Sequence, residues 1–147
     1  MDIVTIILSA AKTVGVSGSL LVAICSHESG GFKHNFAPMD HGSPSFGSCQ
    51  VKFETVKMLG FTGLPVELMD PKVNAIYAAK YLKFQQSRYG EDDWTMLAAA
   101  YNAGSYLESH RKIGCPKNMG YVKLVQNQLP EELKYKLNCG DEEASNN

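Results

Sequence analysis

The sequence predicts an all-α, compact single domain. Apolar residues recur at spacings of three and four along most of the chain, the helical period. The segments so marked begin at capping residues and end at glycines. No strand alternation of useful length and no internal repeat accompanies them. At 147 residues, 44% hydrophobic and 20% charged, the chain is long enough to bury one core without staples.

Residues 3–14 form the first apolar segment, ended by Gly15. Its "MDIVTIILSAAKTV" has Asp2 where a signal peptide needs a basic residue, and Lys12 interrupts it early. It is too short to span a bilayer and reads as a core helix. Ser17 suits the cap of a second helix, whose one face collects Leu20, Leu21, Ile24, Cys25 and Glu28. Gly30 and Gly31 end it.

The stretch "FKHNFAPMDHGSPSFGS" is rich in turn formers and reads as a loop, with Phe32, Phe36 and Phe46 packed over something. Residues 50–59 read as helical and stop at Gly60. Asp70 and Pro71 open the clearest helix, closed by Gly90, with Val73, Tyr77, Tyr81 and Phe84 as one buried stripe. Asp92 or Asp93 starts "WTMLAAAYNAG", whose alanines imply close packing, and Asn118 starts "GYVKLVQNQL". A short charged helix is expected over 131–137. The domain is expected to span residues 1–140, with 141–147 a disordered polar tail.

Formal net charge is −1, and Asp141, Glu142 and Glu143 supply three of the 15 acidic groups, so residues 1–140 carry +2. That balance tolerates a polyanionic substrate, yet no dense basic stripe points to nucleic acid. Cys25, Cys49, Cys115 and Cys139 form no CxxC pair, which argues against a zinc site. The even count permits two disulfides, but a chain without a secretion signal more often keeps its thiols reduced; Cys25 reads as core and the others are left open.

Glu28 is the chemically informative residue. A carboxyl desolvated by Leu21, Ile24 and Cys25 on its own helix face has its charged form disfavoured. Such an acid, protonated near neutrality, can give a proton to a leaving oxygen. The bland alternative is a rim glutamate turned to water at a helix end.

"HESGGF" resembles the Glu-Ser motif of the lysozyme-like lytic transglycosylases, which cleave the glycan strands of bacterial peptidoglycan. The resemblance continues in order. "GSPSFGSCQVK" stands at the family's Gly-Leu-Met-Gln segment, and "DPKVNAIYAAKYLKFQQSRYG" is similar to its central helix. "AAAYNAG" nearly repeats its Ala-Tyr-Asn-Ala-Gly motif, and "GYVKLV" its late Tyr-Val motif. Together these cover about residues 17 to 126.

The resemblance implies a lysozyme-like fold with the active-site cleft between helices. Glu28 would be the single acid/base. It would protonate the oxygen between N-acetylmuramic acid and N-acetylglucosamine, then take the proton of the muramoyl C6 hydroxyl as a 1,6-anhydro ring closes. The substrate's acetamido group would help stabilise the oxocarbenium-like centre, so a second carboxylate is not obligatory. Ser29 would lie beside the sugar near that acetamido group, Gln50 would bond the glycan, and Tyr101 and Asn102 would line the cleft. Tyr121 would donate its hydroxyl to Glu28 and fix its rotamer. No cofactor or metal is expected. The expected partner is the glycan strand, met by a monomer that inserts into no membrane and binds no nucleic acid.

Ser48-Cys49 replaces the family's Leu-Met and could alter the cleft floor. "MDHGSPSFG" also resembles the Asp-containing loop of goose-type lysozymes, which hydrolyse the same bond with inversion. Asp40 is therefore the candidate second carboxylate of a muramidase, in which the two carboxyls stand about 6.5–9.5 Å apart. Lys52 stands where those lysozymes carry another aspartate, and the bland reading of Asp40 is a turn residue bonding its own backbone.

His27, His34, His41 and His110 have no tight ligand spacing. A Cys–His amidase built on Cys25 or Cys49 with His27 or His41 lacks nucleophile-motif flanks. A glycan-binding module that has lost turnover is the non-enzymatic alternative, although a binder needs no proton donor. With no signal peptide, the expectation is synthesis in the cytosol and action on the wall, as for a phage lysin or a virion-borne enzyme.

Overall fold

In the computed structural model, Asp2 accepts the Thr5 amide at 2.8 Å and so starts α1, Ile3–Val14. Residues 1–33, 36–40 and 42–131 are described, Met39 and Asp40 by backbone alone. They divide into two compact units, Met1–Phe84 and the residues from Gln85 on. The helix expected over 131–137, Cys139 and the 141–147 tail fall, past Glu131, outside the described residues, as do His34 and His41.

In the first unit, Gly15 takes φ 90° to close α1, and Ser17 accepts the Leu20 amide at 3.2 Å to start α2, Gly18–Glu28. A Cβ on Gly18 would stand 2.7 Å from Leu8 Cδ2, so glycine lets the chain pass that close to α1. Ile7, Ala10 and Ala11 of α1 and Leu20, Leu21, Ala23, Ile24 and Cys25 of α2 are buried.

The all-α expectation needs correction between the helices. The stretch read as loop folds into an antiparallel sheet of order β1-β2-β3: β1 Phe36–Asp40, β2 Ser43–Phe46 and β3 Val51–Lys52. Phe36 pairs with Phe46, their rings 5.3 Å apart, and Phe46 pairs in turn with Val51. Strands of five, four and two residues are too short for alternation to show. Pro44, in the middle strand, would ordinarily argue against a strand. It is tolerated because the β1–β2 register is irregular between Ala37 and Asp40, opposite it.

The helix expected from residue 50 starts three residues later, as α3, Phe53–Met58, because Gln50 belongs to a turn and Val51–Lys52 to β3. A 3-10 turn over Pro65–Met69 then leads to α4, Pro71–Tyr89, whose Asp70 accepts the amides of Lys72 and Val73. α4 gives the first unit its residues to Phe84 and the second unit the rest.

Its buried stripe also differs from expectation. Val73, Tyr77, Tyr81 and Phe84 are only half-buried, whereas Asn74, Ala75, Ala78, Ala79, Leu82 and Gln85 are buried. Small and hydrogen-bonded polar residues face inward here, and the aromatics lie along the flank, where Tyr77 meets Phe61 edge-on at 5.2 Å.

The second unit contains α5, Trp94–Ala103, capped by Asp93 on the amides of Thr95 and Met96, and α6, Met119–Gln126. Ala98, Ala99 and Ala100 are fully buried, as the alanine run required. Asn118 precedes α6, but its side chain makes no cap bond. It donates instead to Ala99 O at 3.0 Å and to Asn102 Oδ1 at 2.8 Å.

Candidate active site

Glu28 is the last residue of α2 and is half-buried, one to two turns beyond the fully buried Leu21, Ile24 and Cys25. The helix ends there because Ser29 leaves helical geometry and Gly30, Gly31 and Phe32 follow with φ of 61°, 75° and 67°. Ser29 is fully buried, and its hydroxyl serves this turn. It donates to Cys25 O at 2.8 Å and accepts the Phe32 amide at 3.0 Å. Beside Glu28, burial of His27 disfavours its imidazolium and lowers its pKa below the ordinary 6.5.

Gln50 closes the turn Gly47–Gln50 at φ 50°, a left-handed conformation that few residues other than glycine adopt. Its own amide reaches Gly47 O at 3.1 Å and its Nε2 the same oxygen at 2.8 Å. That bond uses one of the two Nε2 hydrogens, and the carbonyl oxygen Oε1 of the same amide is an acceptor.

Two links hold this turn. Asn74, fully buried on α4, accepts the Cys49 amide at 2.9 Å and donates to Phe46 O at 2.7 Å and Leu68 O at 2.8 Å. Gly47 has to be glycine, since a Cβ there would stand 2.1 Å from Asn74 Nδ2. The second link is a disulfide between Cys25 and Cys49. Of the two states the sequence left open, this pair takes the bonded one rather than the commoner reduced one: the fold brings their Cα atoms to 4.1 Å, well inside the roughly 7 Å beyond which no bridge forms. Closing a loop over a sequence separation of 24 contributes about 3.5 kcal/mol in the chain-entropy picture. It also gives Cys49 a structural task, as the bonding partner of Cys25.

Asp40 ends β1, paired with Ser43 across the irregular register, and its side chain is outside the described residues. Lys52 Nζ bonds Ser43 Oγ at 3.0 Å, so a cation stands on that strand neighbour.

In the second unit Tyr101 is buried near the end of α5, Asn102 beside it is exposed, and Tyr121 is half-buried on α6. Asn118 ties Asn102 to the start of α6. Gln85 Nε2 donates to Ala100 O at 3.3 Å and Gly104 O at 2.9 Å, and Arg88 Nη1 also reaches Gly104 O at 2.9 Å. The helix end carrying Tyr101 and Asn102 is thus fixed by side chains of α4.

Asn74, Gln85, Arg88 and the disulfide were not anticipated. Asn74 and Gln85, 11 residues apart, lie three turns along one helix face among alanines and Leu82. Two amides on an otherwise apolar stripe were the available signal. Cys115 is buried, and among the described residues no three His, Cys, Asp or Glu side chains cluster to hold a metal. No helix among them is long and apolar enough to cross a membrane.

A search of curated proteins gave no match, and neither did a search of solved structures. A family model described as the transglycosylase SLT domain matches residues 5–113. The match takes in Glu28, Gln50, Tyr101 and Asn102, and it stops before Tyr121. It covers well over half of the 147 residues, and the chain therefore belongs to the transglycosylase SLT domain family, whose members cleave the glycan of peptidoglycan.

Proposed function

We propose that the chain is a peptidoglycan lytic transglycosylase in which Glu28 is the sole acid/base. The observation that carries this reading is the half-buried carboxyl at the end of α2, three residues beyond the cysteine that bonds the Gln50 turn. Glu28 would give its proton to the glycosidic oxygen as the bond from the muramoyl C1 breaks. It would then accept the proton of the C6 hydroxyl as that oxygen bonds C1 and closes the 1,6-anhydro ring. The carboxyl ends as it began, and no water is consumed.

Gln50 would bond the glycan through Oε1. Ser29, with its hydroxyl in the turn after α2, would act by shaping the acetamido side of the site. The roles of Tyr101, Asn102 and Tyr121 are proposed on the motifs alone.

The test is mass spectrometry of muropeptides released from purified peptidoglycan, with Glu28→Gln as control. Products one water lighter than reducing-end fragments support the reading. Reducing-end products would replace it with hydrolysis and make Asp40 the residue to mutate. Binding without products would make the chain a glycan-binding module.

A further inference from the structure

The turn that ends in Gln50 is held from two elements: by Asn74 of α4, and by a covalent bond from α2. The bond leaves α2 at Cys25, just under one helical turn before Glu28, and arrives at Cys49, the residue before Gln50. It joins the helix end that carries the carboxyl to the turn that carries the amide side chain assigned to the glycan. Gln50 in turn sits at φ 50°, a conformation that a residue with a side chain keeps only when its surroundings fix it.

We propose that Cys25 and Cys49 are positioning residues whose disulfide holds Gln50 in register with the end of α2, so that glycan affinity depends on their oxidation. The inference rests on the role given to Gln50 above. Reduction by dithiothreitol transfers two electrons and two protons, leaving two thiols here and a cyclic disulfide in the reagent. Both cysteines are fully buried, and the hydrogen bonds of Asn74 do not involve sulfur. On reduction the turn keeps its link to Asn74 and loses the covalent link to α2, which is the one that ties the Gln50 side to the helix end. Peptidoglycan lies on the oxidising side of the cytoplasmic membrane, where such a bond persists. In a reducing compartment the same chain would bind glycan weakly.

The experiment compares the oxidised protein with protein reduced by dithiothreitol in urea and refolded under the reductant, the thiol state being read by alkylation in denaturant and mass. It measures KM and kcat on soluble uncrosslinked glycan strands, and amide hydrogen exchange at Cys49 and Gln50. The double variant Cys25→Ala/Cys49→Ala is treated in the same way. On reduction KM is expected to rise about tenfold with kcat within about twofold, as for lost binding contacts, and the Gln50 amide to exchange faster while the Cys49 amide stays protected by Asn74. The double variant should match the reduced protein and ignore the reductant.

Unchanged KM and exchange on reduction would overturn the proposal. So would a fall in kcat alone, or a double variant that still responds to the reductant. If the oxidised protein cleaves no glycan, the reading as an enzyme fails, and the exchange rates by themselves decide whether the disulfide fixes the turn.

Discussion

Asn74 Oδ1 accepts the backbone amide of Cys49 at 2.9 Å, so a residue in the middle of the sequence holds a turn 25 positions earlier. The same side chain donates to Phe46 O and Leu68 O, which makes it the hub of three backbone segments. Asn74→Ala would strand three buried polar groups and should lower stability by about 2–4 kcal/mol. Gly47→Ala should cost a similar amount, about 2–4 kcal/mol, by steric conflict with Asn74 and by its own left-handed φ. Urea unfolding of both variants measures this, and a loss below about 0.5 kcal/mol would show the hub to be dispensable.

Glu28→Gln keeps the size of the side chain and removes the transferable proton. Muropeptide release should fall by about 10³-fold, the scale of a lost general acid, while the melting temperature stays near that of the wild type. A variant with more than about a tenth of wild-type turnover would end the role given to this carboxyl.

Tyr121→Phe deletes one oxygen from a half-buried side chain of α6. If the hydroxyl serves the reaction, kcat should drop about tenfold while stability shifts by less than about 1 kcal/mol. An unchanged kcat would leave Tyr121 a packing residue.

His27 gives a pH dependence whose sign can be worked out. Its folded-state pKa is depressed below 6.5 by burial, so the unfolded chain binds the proton more readily. The contribution of His27 is therefore fully present above pH 6.5 and is lost as pH falls from there towards the lower folded-state value. The urea midpoint should decrease between pH 7.5 and 5.5, and His27→Gln should flatten that decrease. A variant with the wild-type slope would place the effect on another group.

The helices were legible in the sequence because their signals are local. Asp2 was not read as a cap, but Ser17 and Asp70 were, and Asp93 was one of two candidates with Asp92; Asp2, Ser17, Asp70 and Asp93 each accept amide bonds in the first turn of their helices. The sheet was hidden because its pairing is set by contacts such as Phe36 with Phe46, across a hairpin whose strands are too short to show a period. The inward face of α4 was misjudged for a related reason. Tyr77 and Phe84 have the larger apolar surfaces, but Asn74 and Gln85 have backbone partners to satisfy, and no count of hydrophobic residues registers that demand. Glu28 stood out because it broke the pattern of its own helix. The Cys25–Cys49 bond did not, since two cysteines 24 positions apart announce nothing until the chain folds back.

That bond also partitions the chain in a way that bears on its adaptability. Everything from Ser26 to Ser48 lies inside a covalently closed ring, including the paired strands β1 and β2 and the glycine at their tip. Insertions and deletions near Gly42 change the circumference of the ring without moving its two knots. Loop length adds only slowly to closure cost, by about 0.6 kcal/mol for each doubling. The hairpin is thus an exchangeable cassette. New sequences can be grafted at its tip while the residues at the clasp keep their places.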